Sequence, residues 1–290
     1  MEHTPVLLPE IMQAFSGVVP SPTKYFDGTF GRGGHAAAVI AAFPQVQVTA
    51  MDQDLDAIAY CRQHFASAAV QIFHGGFDTF NKVFAPLGMA DNFFDIMLID
   101  LGVSSPQLDQ AQRGFSFYND GPLDMRMNQE QQLTAADLVN ELSEDELIEL
   151  FQSLGEVRKP YRVVKALVHD RREKKFERTQ QFAGLIERVD GWARRGMHPA
   201  TQYFMALRLR VNRELEQVEA ALPELMRALR PQGRLAVITF HSLEDRIVKN
   251  IFKSRTDLGK PVNKNVIQPT WDEKKKNPRA RSAKLSVFPR

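Results

Sequence analysis

Asp27-Gly28-Thr29-Phe30-Gly31-Arg32-Gly33-Gly34-His35 lies between a short strand-like segment ending at Phe26 and an alanine-rich helix start at Ala36-Ala37-Ala38. Glycines at 28, 31, 33 and 34 permit positive φ and let backbone N–H groups approach a ligand. The helix that follows adds partial positive charge at its N-terminus. A nucleotide-like cofactor is the expected occupant. A second apolar strand, 46–51, ends at Asp52, nineteen residues after Gly33, where an acid suits a ribose hydroxyl pair in doubly wound α/β proteins. Gly31-x-Gly33-Gly34 departs from the G-x-G-x-x-G pattern and is weak alone. A third strand, 93–99, adds weight, because it ends in Asp100-Leu-Gly-Val-Ser-Ser-Pro-Gln-Leu-Asp109. Ligands of open parallel sheets bind at the carboxyl ends of strands, so the three turns are expected to meet over one crevice.

The first half alternates strands (24–26, 46–51, 70–73, 93–99) with helices (36–42, 55–65), the pattern of a parallel sheet. From about Leu133 the strand signal stops for some hundred residues. Ser143-Glu-Asp-Glu146 is a capping box opening a helix that Gly155 can close, and Thr179 reads as a cap for 180–189. Pro199 suits a first helical turn, Asn212 a cap for 213–222, and Pro223 a new start or a kink. After Arg230-Pro-Gln-Gly233 a strand returns over 235–240, so a sheet resumes after a helical insertion. The tail 254–281 is polar, lysine-rich and broken by prolines, which predicts mobility, and 284–288 predicts an edge strand. No internal repeat is present.

The net charge of +2 conceals a strong asymmetry: residues 1–155 carry −14, 156–195 carry +6 and 249–290 carry +9. Basic blocks of this kind track a phosphate backbone or form solvated faces and tails. Cys61 is the only cysteine, which excludes intrachain disulfides and cysteine-rich zinc sites, and it reads as packing. No apolar run approaches the ~18 residues needed to span a bilayer, and no secretory signal opens the chain. A cytoplasmic protein without membrane contact or metal is expected.

A nicotinamide enzyme and a methyltransferase both use a glycine turn and an acid after the second strand. The third turn separates them, since nothing resembles a hydride-transfer acid/base pair. Ser104-Ser105-Pro106-Gln107 after Asp100 resembles the Ser/Asn/Asp-Pro-Pro-aromatic turn with which amino methyltransferases hold an exocyclic nitrogen. The amine of cytosine or adenine is conjugated to its ring, so an acceptor must draw its hydrogens into place before nitrogen points at a methyl donor. Positioning and electrostatics then supply most of the catalysis. A plain Ser-Ser-Pro turn is the structural alternative.

Several segments carry a more specific resemblance: His3 to Leu8, Asp27 to His35, Asp100 to Asp109, Arg113 to Phe117, Asp120 to Arg126, His198 to Thr201, Val211 to Leu215, Phe240-His-Ser-Leu-Glu-Asp-Arg246 and Asn277 to Arg281. On these the chain resembles the ribosomal RNA small subunit methyltransferase H family, bacterial enzymes that methylate N4 of a cytidine in 16S ribosomal RNA. The short segment between Lys253 and Asn277 departs from the family pattern. The resemblance implies an α/β, class I S-adenosylmethionine-dependent methyltransferase fold, a Rossmann-like sheet with an inserted small all-helical domain. Its expected domains are 1–106 and 212–290 for the methyltransferase part, with a basic tail, and 107–211 for a helical substrate-recognition insert.

Carried over by position, Gly33, Gly34 and His35 line the methionine and ribose side of S-adenosyl-L-methionine, and Asp52 takes the ribose hydroxyls. Phe77 contacts the adenine, and Asp100 and Gln107 complete the pocket. His35 equally suits a helix cap, and Phe77 equally suits the core. Asp100, Ser104, Ser105, Pro106 and His241 are the candidate catalytic group, with His241 on the cytosine edge or a phosphate. Arg246 pairs with Glu244 or Asp245 or takes part in function. Asp120, Asp124 and Arg126 form either an RNA-reading loop or an internal salt bridge. The implied partner is 16S ribosomal RNA in the small subunit, with a homodimer left open. Rival readings are an RNA-binding ribosome assembly factor on the same fold and a DNA amino methyltransferase.

Overall fold

The structure, a computed structural model, describes residues 5–66, 70–192, 198–259 and 266–290. His3 lies outside them. Two compact units emerge, one from Met1–Gly102 and Leu215–Arg290, the other from Val103–Glu214.

The chain opens with α1 (Leu8–Ser16), β1 (Lys24–Asp27), α2 (Gly34–Ala42), β2 (Gln47–Asp52), α3 (Leu55–His64), β3 (Val70–His74), α4 (Phe80–Phe84) and β4 (Phe94–Asp100). The helical unit follows with α5 (Ser105–Asp109), α6 (Ala135–Glu141), α7 (Glu144–Ser153), α8 (Tyr161–Asp170), α9 (Thr179–Asp190) and α10 (Ala200–Asn212). Then come α11 (Glu214–Ala228), β5 (Leu229–Thr239), α12 (Ser242–Ser254), α13 (Trp271–Lys276) and β6 (Lys284–Pro289). The strands form one sheet in the order β3-β2-β1-β4-β5-β6, parallel except for β6. From β1 the chain runs outward to β2 and β3, then crosses back to place β4 on the other side of β1. That reversal opens a crevice over the carboxyl ends of β1 and β4. The sheet is Rossmann-like and doubly wound, and the insertion is helical.

Alternating strand residues feed two separate cores. Tyr25, Ile96, Leu98, Ala236 and Ile238 pack with Ile11 and Phe15 of α1 and Val39 of α2. Phe26, Met97, Ile99, Leu235 and Val237 pack with Phe80 and Phe84 of α4 and Leu222 and Leu225 of α11. Burial on both faces explains why the strands read as apolar runs rather than alternating ones. Phe26 sits at an aromatic centre, its ring 5.0 Å from Phe80 and 5.6 Å from Phe84.

The helical unit has its own core around Phe151, Phe182, Tyr203 and Phe204. Capping boxes at Thr134/Asp137 and Ser143/Glu146 start α6 and α7. Asn212, read as the cap of the next helix, lies two residues before α11 begins at Glu214. It ends α10, with 2% exposure. Its amide accepts from Met127 N–H (2.8 Å) and donates to the carbonyls of Met125 (2.8 Å) and Arg208 (2.9 Å). A loop with no ladder of its own is thereby tied to a helix end.

Other elements also differ from expectation. Pro223 lies inside α11 rather than at a new start, because buried Val218, Ala221, Leu222, Leu225 and Met226 hold the helix across it. Thr179 is the first residue of α9, and Arg178 is its N-cap. The turn expected at 230–233 is absorbed into β5 as an irregularity, where pairing jumps from Phe94↔Leu229 to Ile96↔Arg234. The tail from 266 on is structured: Ile267 bridges Leu285 of β6, and Glu273 of α13 accepts the Leu7 N–H at 2.8 Å. Helix α1 escaped the sequence reading, although Leu8, Ile11, Met12 and Phe15 have helical spacing and Pro9 stands in its first turn.

Asn212→Ala would strand a buried N–H and a buried carbonyl at once. The helical unit should lose about 2–4 kcal/mol, two unsatisfied groups' worth, read by denaturant unfolding. A loss below about 0.5 kcal/mol, the scale of a neutral surface change, would show that the Met125–Met127 loop is held by other contacts.

Candidate active site

Three acids occupy equivalent places: Asp27, Asp52 and Asp100 are the last residues of β1, β2 and β4. Those strands are neighbours in the sheet, so the carboxyls project over one stretch of its carboxyl edge. Asp27 is 2% exposed and accepts from Tyr25 Oη at 2.9 Å and Thr29 N–H at 3.2 Å. Asp52 accepts from Gly31 N–H at 2.7 Å and Asp54 N–H at 2.8 Å. Thr29 Oγ1 accepts the Asp100 backbone N–H at 2.7 Å, which links the turn after β1 to the end of β4. Asp100 Oδ2 lies 3.9 Å from His35 Nδ1, and its Oδ1 is buried without a hydrogen bond among the described residues.

The turn Gly28–Gly34 keeps this edge open. Gly33 is left-handed at φ 68°, and a Cβ on it would meet Phe30 and Phe65 ring carbons at 2.6 Å. Gly34 opens α2 with the Pro5 ring against it, where a Cβ would stand 2.6 Å from Cγ. Gly33 is therefore required by space and by backbone, Gly34 by space alone. No atom lies within 4 Å of where a Gly31 Cβ would stand. Such a turn leaves main-chain N–H groups and a helix N-terminus facing the crevice.

His35 does not cap α2. It sits in the first turn, 8% exposed, with Nε2 at 3.0 Å from the Val6 carbonyl. Phe77 follows β3 and Gly75-Gly76 in a 3₁₀ turn, 6% exposed, within the core group that holds Phe26, Ile99 and Leu101. His241 is the N-cap of α12, its Nδ1 accepting from Glu244 N–H at 3.4 Å and its Nε2 2.9 Å from Glu244 Oε1. Glu244 is 1% exposed and its Oε2 accepts from the N–H groups of Phe240 (2.7 Å) and His241 (3.2 Å). Asp245 pairs with Lys249 and Lys284 at 2.8 and 2.9 Å, and Arg246 is exposed. The polar density of this motif is thus largely a capping device.

In the helical unit, Ser104 is the N-cap of α5, followed by Ser105 and Pro106 in its first turn. Gln107 is 5% exposed and its Oε1 accepts the Ser104 N–H at 2.9 Å. Asp124 and Arg126 form a two-pronged internal salt bridge (2.8 and 2.7 Å), and Asp120 pairs with Arg178 at 2.5 Å. The internal reading of that loop is the one realised.

Sequence reasoning passed over Asp27, Tyr25, Thr29 and Glu244. Asp27 carried a signal, since it ends a strand in the same manner as Asp52 and Asp100. Glu244 carried none, because only the fold buries it beside the end of β5.

Burial sets the electrostatics. Desolvation pushes Asp27 up to about 7, against hydrogen bonds from Tyr25 and Thr29 that lower it. It pushes Asp52 to about 6, against N–H bonds from Asp54 and Gly31. Asp100 rises to about 8 through desolvation first, then through repulsion from Asp27 and Glu244. Acids crowded in this way hold protons near neutrality and ionise when a cation arrives. The edge therefore suits a ligand with positive charge and hydroxyl groups. A pyrophosphate would meet carboxylates.

A folding linkage follows. Groups with raised folded values bind more protons folded than unfolded, so their contribution is complete below pH 4 and is lost as pH climbs through about 6 to 8. The ligand-free protein should lose thermal stability between pH 5 and 8, and Asp100→Asn should flatten that decline. A parental midpoint constant across the window would remove the raised acids from the account.

The MraW methylase family model matches residues 1–290. A ribosomal RNA small subunit methyltransferase H of Bdellovibrio bacteriovorus is 58% identical over 294 residues, covering 100% of this chain and 88% of the relative. Proteins of the same name from Coprothermobacter proteolyticus and Idiomarina loihiensis are 39% and 41% identical, each covering 99% of this chain and 96% of the relative. With its end-to-end match and its acid-lined strand edge, the chain belongs to the MraW methylase family.

Proposed function

We propose that this protein transfers a methyl group from S-adenosyl-L-methionine to the exocyclic N4 of a cytidine in the decoding centre of 16S ribosomal RNA. The observation that carries the reading is the acid trio Asp27, Asp52 and Asp100 beside the open glycine turn. It fits a cofactor bearing a sulfonium, an ammonium and a ribose diol, and it opposes a dinucleotide. The relatives' shared name supplies the RNA. When bound, the cofactor supplies an electrophilic methyl on a positive sulfur.

Each residue's part follows from its place. Asp52 is assigned the ribose hydroxyls, with its carboxylate held by Gly31 and Asp54 N–H groups. Gly33, Gly34 and His35 line the methionine side at the start of α2. Phe77 is assigned the adenine face, presenting only the small part of its ring that the core leaves exposed. Asp100, with buried Oδ1, draws an amine hydrogen so that the nitrogen lone pair turns out of conjugation. It is also the proton acceptor assigned to the nitrogen once that has gained its methyl, its Oδ1 having no hydrogen bond among the described residues. No covalent enzyme intermediate is needed, and positioning supplies most of the rate.

Ser104, Ser105, Pro106 and Gln107 are assigned to acceptor orientation, the turn held rigid by its own capping bond. His241 is assigned to the cytosine side, with Glu244 fixing its ring. The helical unit, which the sequence bounds at 107–211, is assigned substrate recognition. The target base must leave its stack, at a cost of about a few kcal/mol that is least in an already distorted region. Among the described residues no helix is long and apolar enough to cross a membrane, and a ribosomal RNA substrate supports a cytoplasmic location.

Calorimetry should give an isotherm for S-adenosyl-L-methionine, with proton release at pH 7, and none for NAD. Mass analysis of ribosomal RNA nucleosides after incubation with labelled cofactor should find label on N4-methylcytidine. An NAD isotherm without one for the methyl donor sinks the cofactor reading. RNA binding without transfer would make the protein an assembly factor.

Asp100→Asn keeps shape but replaces an anionic acceptor with a neutral amide. Single-turnover transfer at saturating cofactor and RNA should slow by about 10²-fold or more, the lower end of general acid–base contributions, while RNA affinity barely moves. A parental rate would assign the amine to the Ser104–Gln107 turn or His241 instead.

A further inference from the structure

Charge is segregated within the helical unit. Acids occupy the first turns of α6 (Asp137) and α7 (Glu144, Asp145, Glu146), where the helix dipole favours them. Helix α8 does the opposite. Arg158 and Lys159 precede it, Arg162 stands in its first turn, and no acid occurs between 157 and 169. Cations there face the positive end of the aligned peptide dipoles, so folding alone does not account for them.

Arg162, Lys165 and His169 recur at intervals of three and four, which places them on one side of α8, while Arg158 stands before the helix and Arg172 in the turn after it. All five are exposed, while Val163, Val164 and Leu167 bury the opposite side. Other basic residues of this block are committed inside the unit: Arg171 to the Val139 carbonyl, Arg178 to Asp120, Arg188 to Asp170. Arg162 gives one nitrogen to the Val189 carbonyl at 2.9 Å, which fixes its side chain. The side chains of Arg158, Lys165 and Arg172 make no hydrogen bond or ion pair among the described residues. Tyr161, beside Arg162, is 52% exposed. A face kept for solubility mixes signs. This one carries cations alone from Arg158 to Lys165, and its first acid is Asp170, which pairs with His169 at 3.1 Å and with Arg188.

We infer that the exposed stripe of α8 is the surface on which the sugar–phosphate backbone of the substrate RNA docks, with Tyr161 offering its ring to an unpaired base. Regularly spaced cations match a regularly charged polyanion, and an aromatic among them suits single-stranded RNA. The inference rests on the RNA methylation reading and adds where the RNA is held.

The test uses the full chain with Arg162→Gln, Lys165→Gln and Arg172→Gln combined, and a protein-free 16S RNA fragment as probe. Affinity at low salt should fall at least tenfold, and the slope of log K against log salt should drop by about 2 to 3, at 0.7 to 0.9 per phosphate contact. KM for RNA should rise with kcat retained, cofactor binding should be unchanged, and the thermal midpoint should hold or rise. Should the triple variant misfold, Lys165→Gln alone carries the test, with a slope change of about 0.7 to 0.9. A parent that neither binds nor methylates RNA fails the functional reading itself. An active parent with an indistinguishable variant overturns the docking stripe. So does a variant impaired only on assembled subunits, which would make the partner a protein.

Discussion

Parallel strands covered on both faces can present chemistry only at their ends. In this sheet Tyr25 and Phe26, or Leu98 and Ile99, are successive residues buried in different cores, so the interiors of β1 and β4 are closed to a ligand. The residues that close each strand and begin the next turn are the only ones both rigid and reachable. The reversal of strand order at β1 sets the ends of β1, β2 and β4 side by side, with an acid on each.

Those acids are costly to bury, and the fold manages the cost by proton uptake rather than by pairing with cations. No lysine or arginine is found against Asp27, Asp52 or Asp100 among the described ion pairs. Hydroxyl and backbone N–H groups hold Asp27 and Asp52 instead. An internal arginine would cancel the negative potential that a cationic ligand needs. Thr29 links two of the three positions, because its N–H meets Asp27 while its hydroxyl accepts from the Asp100 backbone. Geometry at the end of β4 therefore depends on the turn after β1.

The helical unit meets a different constraint. Lacking a sheet, it supplies its loops with partners from side chains: Asn212 for the Met125–Met127 segment, Arg126 on Asp124, Arg178 on Asp120. Of the two readings that the sequence leaves for Asp120, Asp124 and Arg126, the internal salt bridges are the contacts observed. Lys165 of α8, with Arg158 before it and Arg172 after it, is exposed and its side chain has no such partner among the described residues. Which charge is structural and which is available is a tertiary question, since Arg171 and Arg172 are neighbours with opposite fates, one turned to the Val139 carbonyl and the other to solvent.

The succession of strands along the chain, the glycine turn and the acids Asp52 and Asp100 were legible in the sequence, because each rests on local patterns: apolar runs, backbone permissiveness, a strand-ending carboxylate. The helical insertion was legible for the same reason, in the absence of strand signal and the presence of capping boxes. Pro223 within α11, the irregular start of β5 and the ordered tail were not. Each is decided by partners far along the chain, such as the α11 apolar face, the β4 pairing and the Ile267–Leu285 bridge. The same holds for Glu244 beneath His241, and for raised acid values, which measure burial. Sequence determines what each residue can do chemically, and tertiary burial decides which charges stay bare, because desolvation is a property of the packed surroundings.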